Sequence, residues 1–408
     1  MARIVFCLPA MRGHLGAHGP LARELARRGH DCVLLGSRRL APLAQGQGLP
    51  VSAMEWDEPD LGGAGLAMTL LRTAHATRGV IRLTPPALKA LRPDLVVADQ
   101  AEPGFALAAE AARAPWVTLA AGLPLDGDAA VPPPFLPWPH EDSDSARRRN
   151  QGGWRVSEAL MLLQRRALAS GCRRHGLAPR PGTGGWISDR LDLRQIVPAL
   201  DFPRDWPAQS VGLGPLRDPE PDGDLPRELM RPDRPLVFAS LGTLSGRRLR
   251  MLHAICAAAA DLPVTLVLAH AGMLTEAEVA ALPGRPLARA LWPQRAVLER
   301  ASVCVTHGGM NTTLDSVAAG VPMLAMPLAF EQPGIAARIE AHGLGLRLDA
   351  RAAPGAIREA LSQLLDAPRW RDSLSRARQE LRAAGGVRRG ADLIEGVLAG
   401  ERIHEAAE

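Results

Sequence analysis

The sequence predicts an α/β protein made of two doubly wound parallel sheets that a linker joins. Three observations point to this fold class. The 408 residues are too many for one ordinary hydrophobic core and fit two domains. Apolar β-type runs alternate with stretches of helical spacing in both halves of the chain. Residues 201–234 are rich in Pro, Asp and Gly and lack periodicity, so we predict a linker there, between domains at residues 1–200 and 235–408.

The first half opens with a strand, a loop, a helix and a second strand. Residues 3–9 form an apolar β-type run, and the loop Ala10–His14 follows it. Leu15–Arg28 then has helical spacing, and Asp31–Leu35 is a second strand. This order is typical of doubly wound sheets, whose ligands bind beyond the carboxyl ends of strands. His14 is therefore expected at a binding edge.

The remainder of the first half continues the alternation. The predicted segments are a helical region at 61–91, buried strands at 94–98 and 115–120, a long proline-rich loop at 122–155, and a helix at 156–175. Pro85-Pro86 is expected to break the helical region, because proline removes a backbone donor and clashes with the preceding turn. Asp99 directly follows the first of these strands, so its side chain is expected at the same sheet edge as His14.

The second half contains the stretch that carries most of the chemistry. Its predicted strands are at 235–241, 263–269, 302–306 and 322–326. The third of these strands ends at His307-Gly308-Gly309, directly before a predicted helix at Met310–Ala319. Glycines at such a junction let a bulky group approach the backbone closely. The helix start offers free N–H groups and a partial positive charge, both of which suit a phosphate.

Polar side chains around this junction complete a nucleotide-sugar pocket. His307 can donate to the same anion, and Asn311 and Thr312 lie in the first turn of the predicted helix. Asp315 lies one turn further along, where it can accept hydrogen bonds from ribose-type hydroxyls. Glu331-Gln332 follows the next strand and offers acceptors for the hydroxyls of a sugar.

This ordered set resembles the donor-binding signature of the family 1 glycosyltransferases, the UDP-glycosyltransferases. The matching residues are Pro293-Gln294, His307, Gly309, Asn311, Thr312, Asp315 and Glu331-Gln332. The run Phe330–Arg338 is most similar to the bacterial zeaxanthin glucosyltransferases of carotenoid biosynthesis. The resemblance implies the GT-B fold, in which two Rossmann-like domains face each other across a cleft and the last helix crosses back to the first domain.

The resemblance also implies further contacts to the nucleotide sugar. Plant relatives stack uracil on a Trp at the position of Leu291, and here Trp292 stands beside it as the candidate for the base. The ribose position holds Asp315, where Glu is more usual. Gly242 and Thr243 end the first strand of the second half and are candidates for contact with the diphosphate or the sugar.

Transfer of a sugar to a hydroxyl requires a base that takes the hydroxyl proton. His14 is the candidate, since the spacing from Gly13-His14 to Gly29-His30 matches the family's N-terminal pattern. Asp99 is the candidate for the carboxylate that orients His14 and stabilises its charged form. The alternatives are a solvated loop histidine and an aspartate that caps the next helix. A single displacement, as the family performs it, inverts the anomeric carbon.

No cofactor or metal ion is expected, and UDP-glucose is a co-substrate. The pairs Asp126-Gly-Asp128, Asp142-Ser-Asp144 and Asp222-Gly-Asp224 match the Asp-x-Asp pattern that binds Mn²⁺ or Mg²⁺ in other glycosyltransferases. All three lie in proline-rich loops and none directly follows a buried strand, so turn formation explains them. The helix start and His307 are expected to offset the phosphate charge instead.

The acceptor is expected to be hydrophobic and hydroxylated. Residues 61–83 are apolar with few charges, and the loop 131–139 adds Phe135, Leu136 and Trp138. These segments either line an apolar channel or pack in the core. The first hypothesis is a UDP-glucose-dependent transferase that acts on a carotenoid diol such as zeaxanthin. The second is the same chemistry on a polyketide, macrolide or sterol with a UDP- or dTDP-sugar, and the third is an auxiliary activator protein without activity.

Composition narrows the setting. The net charge is +5 and comes almost entirely from Arg, which reflects either codon bias or a basic face that makes transient contact with anionic lipid. Nucleic acid is not expected as a partner, because aromatic residues are scarce and do not alternate with basic ones. The five scattered cysteines predict buried, reduced thiols. With no apolar run of membrane-spanning length, a cytoplasmic location is expected, with peripheral contact at the inner membrane face.

Overall fold

The computed structural model describes residues 1–219, 223–225, 229, 234–242, 249–366 and 368–401. Within this part of the chain, the strands form two parallel sheets with helices packed on their faces. This arrangement confirms the predicted α/β fold class of two doubly wound sheets.

The first sheet occupies the first half of the chain. Its strands are β1 (Arg3–Cys7), β2 (Asp31–Ser37), β3 (Val51–Met54), β4 (Leu95–Asp99), β5 (Trp116–Ala120), β6 (Asp192–Arg194) and β7 (Ser210–Gly212). Their spatial order is β3-β2-β1-β4-β5-β6-β7, and all neighbours are parallel. The last of these strands lies inside residues 201–234, so the first sheet extends into the range that the sequence predicts as a linker.

The second sheet repeats the same pattern. Its strands are β8 (Leu236–Ser240), β9 (Thr265–Ala269), β10 (Leu287–Arg289), β11 (Ala301–Thr306), β12 (Met323–Ala325) and β13 (Gly345–Arg347). Their spatial order is β10-β9-β8-β11-β12-β13, again with parallel neighbours. The central strands are buried and rich in Val, Leu and Ala, as parallel strands covered on both faces require.

Helices cover both faces of each sheet. They are α1 (Arg12–Arg27), α2 (Leu40–Leu43), α3 (Leu66–Leu91), α4 (Gly104–Ala112), α5 (Asp144–Leu160), α6 (Leu162–His175), α7 (Leu249–Ala260), α8 (Glu276–Ala280), α9 (Gln294–Leu298), α10 (Met310–Ala319), α11 (Gln332–Ala341), α12 (Pro354–Leu364), α13 (Pro368–Ala383) and α14 (Gly386–Ala399). On the first sheet, α1 and α14 pack against one face, and α3, α4 and α6 pack against the other.

The strand order reverses once in each sheet, and these two points locate the site. The first sheet turns back between β1 and β4, and the second between β8 and β11. Ligands of open parallel sheets bind in the crevice beyond the carboxyl ends of the strands at such a point. His14 and Asp99 follow the first pair of strands, whereas Gly242 and His307 follow the second pair.

Three further features differ from the sequence prediction. His14 lies in the first turn of α1 and not in a loop, since the helix begins at Arg12. Helix α3 runs without interruption through Pro85-Pro86, because Thr84, Pro85 and Leu88 are buried and tertiary packing holds the helix together. Helix α5 begins at Asp144, inside the predicted loop, where the Ser143 hydroxyl caps it by accepting the Ala146 N–H at 3.2 Å.

The chain returns to its first half at the end. Side chains of α14 share a hydrophobic core with α1, and Arg28 binds Asp392 at 2.6 Å and Glu395 at 2.7 Å. The five cysteines are all buried and unpaired, which confirms their predicted burial. Among the described helices, none combines the length and the apolar composition that crossing a bilayer requires.

Candidate active site

The predicted pair His14 and Asp99 meets at the crevice of the first sheet. Imidazole Nδ1 of His14 lies 2.6 Å from Oδ2 of Asp99, and Oδ1 of Asp99 accepts the Ala101 N–H at 2.9 Å. The Asp99 side chain is fully buried, whereas the His14 side chain is 18% exposed. Asp99 therefore orients the ring from the protein interior. Nε2 of His14 has no hydrogen-bond partner among the described residues and is available to a substrate.

The electrostatics of this pair suit a general base. Burial lowers the pKa of His14, but the charge and hydrogen bond of Asp99, together with Glu331 and Glu58, raise it above the ordinary 6.5. Burial raises the pKa of Asp99, yet the two histidines beside it hold that pKa well below its usual range. Asp99 thus stays ionised at neutral pH and stabilises the charged form of His14 that results from proton transfer.

His18 is part of this cluster, and the sequence prediction did not include it. Its Nε2 lies 2.9 Å from Oδ2 of Asp99, the same oxygen that His14 contacts. The His18 ring is fully buried and packs edge-on against Phe6, and its Nδ1 has no hydrogen-bond partner among the described residues. A signal was present in the sequence, because residues four apart on a helix lie on one face, as His14 and His18 do.

His307 lies at the crevice of the second sheet between two glycines. A Cβ atom at Gly242 would lie 2.6 Å from Cε1 and Nε2 of the His307 ring, and one at Gly309 would lie 2.7 Å from both atoms. Gly242 also has a φ of +72°, which a residue with a side chain rarely adopts. Only glycine at both positions leaves room for the imidazole.

The pKa of His307 moves in the opposite direction to that of His14. Burial lowers it to about 4, and a hydrogen bond with the Ser240 backbone only partly offsets this. Nδ1 of His307 is buried without a partner among the described residues. At neutral pH the ring is therefore uncharged. It can form hydrogen bonds, but it does not attract a phosphate through a positive charge.

Helix α10 begins directly beyond His307, with the bounds that the sequence predicted. Its first residue follows Gly309, which has extended backbone angles, and no side chain caps its N–H groups. Gly308 has a φ of +80°, and a Cβ there would lie 3.0 Å from the backbone oxygen of Gln332. The uncapped start of α10 can donate to an anion from its backbone.

Asn311 joins the two halves of the protein. Its side-chain nitrogen donates to the backbone oxygen of Gly13 at 2.9 Å, and its oxygen accepts from Nε2 of Gln195 at 3.1 Å. The candidate base and the start of α10 are thereby held next to each other. This places the two predicted halves of the site on opposite sides of one cleft.

Three predicted nucleotide contacts form one hydrogen-bonded network. Gln294 donates from Nε2 to Oδ2 of Asp315 at 2.7 Å and accepts the Thr312 hydroxyl at 3.2 Å. Oδ1 of Asp315 accepts from Nε of Arg217 at 2.9 Å. Both carboxylate oxygens are therefore engaged, although each keeps a lone pair that a ribose hydroxyl could use.

Arg217 is a second residue that the sequence prediction missed. Besides Asp315, its guanidinium donates to the backbone oxygens of Gly16 at 3.3 Å and Asn311 at 3.2 Å, and to Oε1 of Gln195 at 3.2 Å. It therefore links α1 to α10 from the segment between the sheets. No local pattern marks this role, because its partners are far away in the sequence.

Glu331 and Gln332 stand at the start of α11. The charge of Glu331 acts on His14, and its Oε1 would lie 3.2 Å from a Cβ at Gly122 in the first half. Oε1 of Gln332 accepts the backbone N–H groups of Leu328 and Ala329 at 2.8 and 3.0 Å. This leaves the Gln332 amide nitrogen as the group that can reach a sugar hydroxyl.

Trp292, a predicted contact to the base, is not presented to the cleft in the same way. Trp292 is 8% exposed, donates its indole N–H to the Leu268 backbone oxygen at 3.0 Å, and has the Arg289 guanidinium 4.3 Å from its ring centroid. Stacking on a base would require Arg289 to move from that ring face. Thr243 lies outside the described residues.

The Asp-x-Asp pairs serve local structure where they are described. Asp126 accepts from Arg194 at 2.9 Å, and Asp128 accepts the Ala130 N–H at 2.8 Å. Asp142 binds Arg147 at 3.2 Å next to the start of α5, and Asp222 lies outside the described residues. In the described part of the chain, no group of three or more His, Cys, Asp or Glu side chains is arranged to hold a metal ion.

The proline-rich loop 131–139 packs against the second half. The Pro134 backbone oxygen accepts the Gly334 N–H at 3.0 Å, and the Pro137 oxygen accepts from Arg347 at 2.7 Å. A Cβ at Gly334 would lie 2.4 Å from the Pro134 oxygen, so this contact requires glycine. Phe135 remains 40% exposed. The loop thus spans the cleft close to Glu331 and can contribute apolar contacts to an acceptor.

Comparison with known proteins agrees with this geometry. The family model described as "UDP-glucoronosyl and UDP-glucosyl transferase" matches residues 193–378. The chain is 32% identical to a zeaxanthin glucosyltransferase of Pantoea ananas, over 98% of this chain and 96% of that protein. It is 33% identical to a zeaxanthin glucosyltransferase of Pseudescherichia vulneris, over 98% and 99%. A 4'-demethylrebeccamycin synthase of Lentzea aerocolonigenes is 26% identical over 97% and 100%.

Solved structures share the fold over almost the whole chain. The glycotransferase of kitacinnamycin superposes with a TM-score of 0.78 at 24% identity, covering 97% of this chain and 98% of that one. CalG4, the calicheamicin glycosyltransferase, superposes with a TM-score of 0.76 at 26% identity, covering 98% of each chain. These similarities confirm the GT-B architecture that the sequence predicted.

Proposed function

This chain belongs to the family of UDP-glucoronosyl and UDP-glucosyl transferases, and we propose that it moves glucose from UDP-glucose to a hydroxyl group of a hydroxylated carotenoid such as zeaxanthin. Glycosyltransferase activity follows from the family. Two relatives named as zeaxanthin glucosyltransferases support the acceptor, since each is about a third identical and is matched over nearly its whole length.

The hydrogen bond between His14 and Asp99 is the observation that carries the chemistry. In the proposed step, Nε2 of His14 takes the proton of the acceptor hydroxyl, and the hydroxyl oxygen attacks the anomeric carbon. The bond from that carbon to the diphosphate oxygen breaks, and UDP leaves with the electron pair. Because attack and departure occur on opposite faces, the anomeric configuration inverts. Asp99 stabilises the imidazolium that forms.

The start of α10 is proposed to hold the departing diphosphate. Its uncapped N–H groups and helix dipole favour the charge that grows on the leaving group. Neutral His307 has a single N–H, which is proposed to turn from the Ser240 backbone oxygen to the diphosphate, and Asn311 and Thr312 lie in the first turn of α10. Gln332 and Glu331 are proposed to bind the sugar hydroxyls, and Asp315 and Gln294 the ribose.

Transfer is proposed to need no metal ion, because the helix start and the His307 donor supply the stabilisation of the leaving group. Turnover should be the same in EDTA as in buffer that contains Mg²⁺. A lasting loss of turnover in EDTA that Mg²⁺ restores would contradict this part of the proposal.

A second candidate function keeps the chemistry and changes both substrates. The 26% identity to a 4'-demethylrebeccamycin synthase over nearly the whole chain favours it, as does Leu291 at the position where plant relatives stack uracil. In this alternative, a UDP- or dTDP-sugar is transferred to a polyketide, macrolide or sterol.

Purified protein incubated with UDP-glucose and zeaxanthin in detergent micelles distinguishes the two candidates. The expected product is a carotenoid heavier by one or two hexose units by mass spectrometry. Parallel reactions offer macrolide and polyketide aglycones with UDP- and dTDP-sugars. Efficient transfer to one of these aglycones and none to zeaxanthin would select the second function.

A further inference from the structure

Helices α3, α5 and α6 carry most of the exposed large apolar side chains. The described residues expose nine such side chains, and six of them belong to these three helices. They are Leu66, Met68 and Leu71 on α3, Val156 and Leu160 on α5, and Leu162 on α6. Their side chains are 42% to 65% exposed, which a soluble surface normally avoids in such numbers on neighbouring elements.

The three helices present these residues on one side of the molecule. Helices α3 and α6 lie side by side on the same face of the first sheet, where Gln164 donates to the Thr77 hydroxyl at 3.0 Å. A Cβ at Gly171 of α6 would lie 2.9 Å from the Ile81 side chain of α3. Helix α5 continues into α6 across the single residue Met161. We call the outward side of these helices the α3–α5–α6 face.

The same helices carry the net positive charge of the protein. They contain twelve of the 48 Lys and Arg residues and two of the 43 Asp and Glu residues, a formal charge of +10. The rest of the chain has 36 basic and 41 acidic residues, a formal charge of −5. The net charge of +5 therefore comes from these three helices, whereas the rest of the chain is slightly acidic.

Several of these arginines are exposed and unpaired. Arg78 and Arg82 on α3, Arg155 on α5 and Arg166 on α6 are exposed and have no ion-pair partner among the described residues. By contrast, Arg165 is paired with Glu158 at 3.4 Å. Unpaired guanidinium groups beside exposed Leu and Val side chains form a surface that is both cationic and apolar.

We propose that the α3–α5–α6 face docks on the surface of an anionic lipid bilayer. Exposed apolar side chains enter the boundary between headgroups and acyl chains, and the arginines bind lipid phosphates. The six apolar residues are each at least 42% exposed, which suits insertion into lipid. A large excess of positive charge over three helices also suits a uniformly anionic surface better than the mixed charges of a protein partner.

Docking would bring the candidate base close to the lipid. Glu58, in the loop before α3, accepts the Ala10 N–H at 2.7 Å, and its charge acts on His14. The loop that leads into α3 thus lies at the sheet edge that holds His14. An apolar acceptor dissolved in the bilayer could then reach His14 without crossing water. This consequence rests on the proposed function, whereas docking itself does not.

Vesicle flotation of the full-length protein tests docking without nucleotide sugar or acceptor. The protein should float with vesicles of phosphatidylcholine and phosphatidylglycerol but not with phosphatidylcholine alone, and added salt should reduce flotation. Each arginine near an anionic surface contributes about fivefold in partitioning. Reversing two charges, in Arg155→Glu with Arg166→Glu, should therefore lower partitioning by more than about 25-fold. Leu66→Ser with Leu71→Ser should lower it by tenfold or more.

Matched controls lie on the second half of the protein. Arg351 and Arg371 are exposed, and so is Leu291 at 61%. Arg351→Glu with Arg371→Glu, and separately Leu291→Ser, should float like the original protein. Equal flotation of the face variants and the controls would overturn the proposal. So would a dimer in light scattering that Leu66→Ser with Leu71→Ser converts to a monomer, combined with no vesicle binding, since the face would then be a contact between copies.

Discussion

The two halves of the protein each place one histidine at the point where their strand order reverses, and the two histidines differ in their partners and in the direction of their pKa shifts. His14 shares a hydrogen bond of 2.6 Å with Asp99, and its pKa lies above 6.5. His307 sits between Gly242 and Gly309 with no carboxylate beside it in the described part of the chain, and its pKa falls to about 4. The reversal points of two similar sheets thus hold a base that can become charged and a histidine that stays neutral.

The difference shows that the partner of a histidine decides its role more than its position in the fold. Burial alone lowers the pKa of both rings. At His14 the charge and hydrogen bond of Asp99 help to raise the pKa in spite of burial. At His307 a hydrogen bond with the Ser240 backbone opposes burial only in part, so the pKa stays low. A leaving group that already carries charge gains from neutral donors and a helix dipole, whereas a hydroxyl that must lose a proton needs a base with a counter-charge.

The largest effects are expected when either histidine is replaced by alanine, which tests whether His14 is the base and His307 binds the diphosphate. His14→Ala should lower kcat by about 10²–10⁴-fold, because a positioned base contributes that much, and should leave UDP affinity unchanged. His307→Ala should instead weaken UDP binding, because it removes a donor from the diphosphate site. Isothermal calorimetry with UDP and initial rates with UDP-glucose measure the two effects separately.

The comparison fails if the two variants behave alike. An active His14→Ala protein would remove the base assignment. A His307→Ala protein with unchanged UDP affinity would show that the start of α10 binds the diphosphate without the ring.

The sequence predicted the bounds of α10 correctly because the signals for a helix start and end are local. Helix α10 has the predicted bounds, since Gly309 precedes it and Gly320, with a φ of +77°, ends it. The longer strands also follow from periodicity within short windows, whereas the short strands β3, β6, β7, β10 and β13 were not predicted. His14 and Asp99 were predicted as partners, and they meet because parallel strands that flank a reversal end at one crevice.

The missed features depend on contacts between distant residues. His18 reaches Asp99 across 81 positions, and Arg217 reaches Asp315 across 98. No window along the chain contains both partners of either pair. Packing also overrides propensity at Pro85-Pro86, where α3 continues through two prolines. Trp292 was assigned to the nucleotide, but it packs largely in the hydrophobic core of the second half.

A methyl group placed against the His307 ring should weaken the diphosphate site, with a smaller effect than removal of the ring. Gly309 has a φ of −72°, so Gly309→Ala is conformationally tolerated, but its Cβ would lie 2.7 Å from the His307 ring. Displacing a packed side chain costs about 1–3 kcal/mol, and UDP affinity should fall by about tenfold or more. Gly355→Ala, where nothing lies within 4 Å of the added Cβ, is the matched control and should bind UDP normally.

The pH dependence of kcat/KM should report His14 and not His307. Below the pKa of His14 the base is protonated, so the rate should fall on the acid side with an apparent pKa above 6.5. Asp99→Asn removes the charge that raises this pKa, so the acid limb should move to lower pH while the maximal rate falls. His307 should contribute no limb between about pH 5 and 9, given its pKa of about 4. An acid limb that Asp99→Asn leaves in place would contradict the pairing.

The smallest expected effect concerns His18, which competes with His14 for one carboxylate oxygen. While His18 donates to Oδ2 of Asp99, part of the hydrogen-bonding capacity of that oxygen is used, and His14 is stabilised less in its charged form. His18→Leu removes the competing donor, so the pKa of His14 should rise and the acid limb of kcat/KM should move to higher pH by less than about one unit.

His18→Gln keeps an N–H that can reach Asp99 and should preserve the original profile. A loss of rate at every pH without movement of the limb would mean that His18 only fills the core beside Phe6, because packing alone does not change the charge balance at His14.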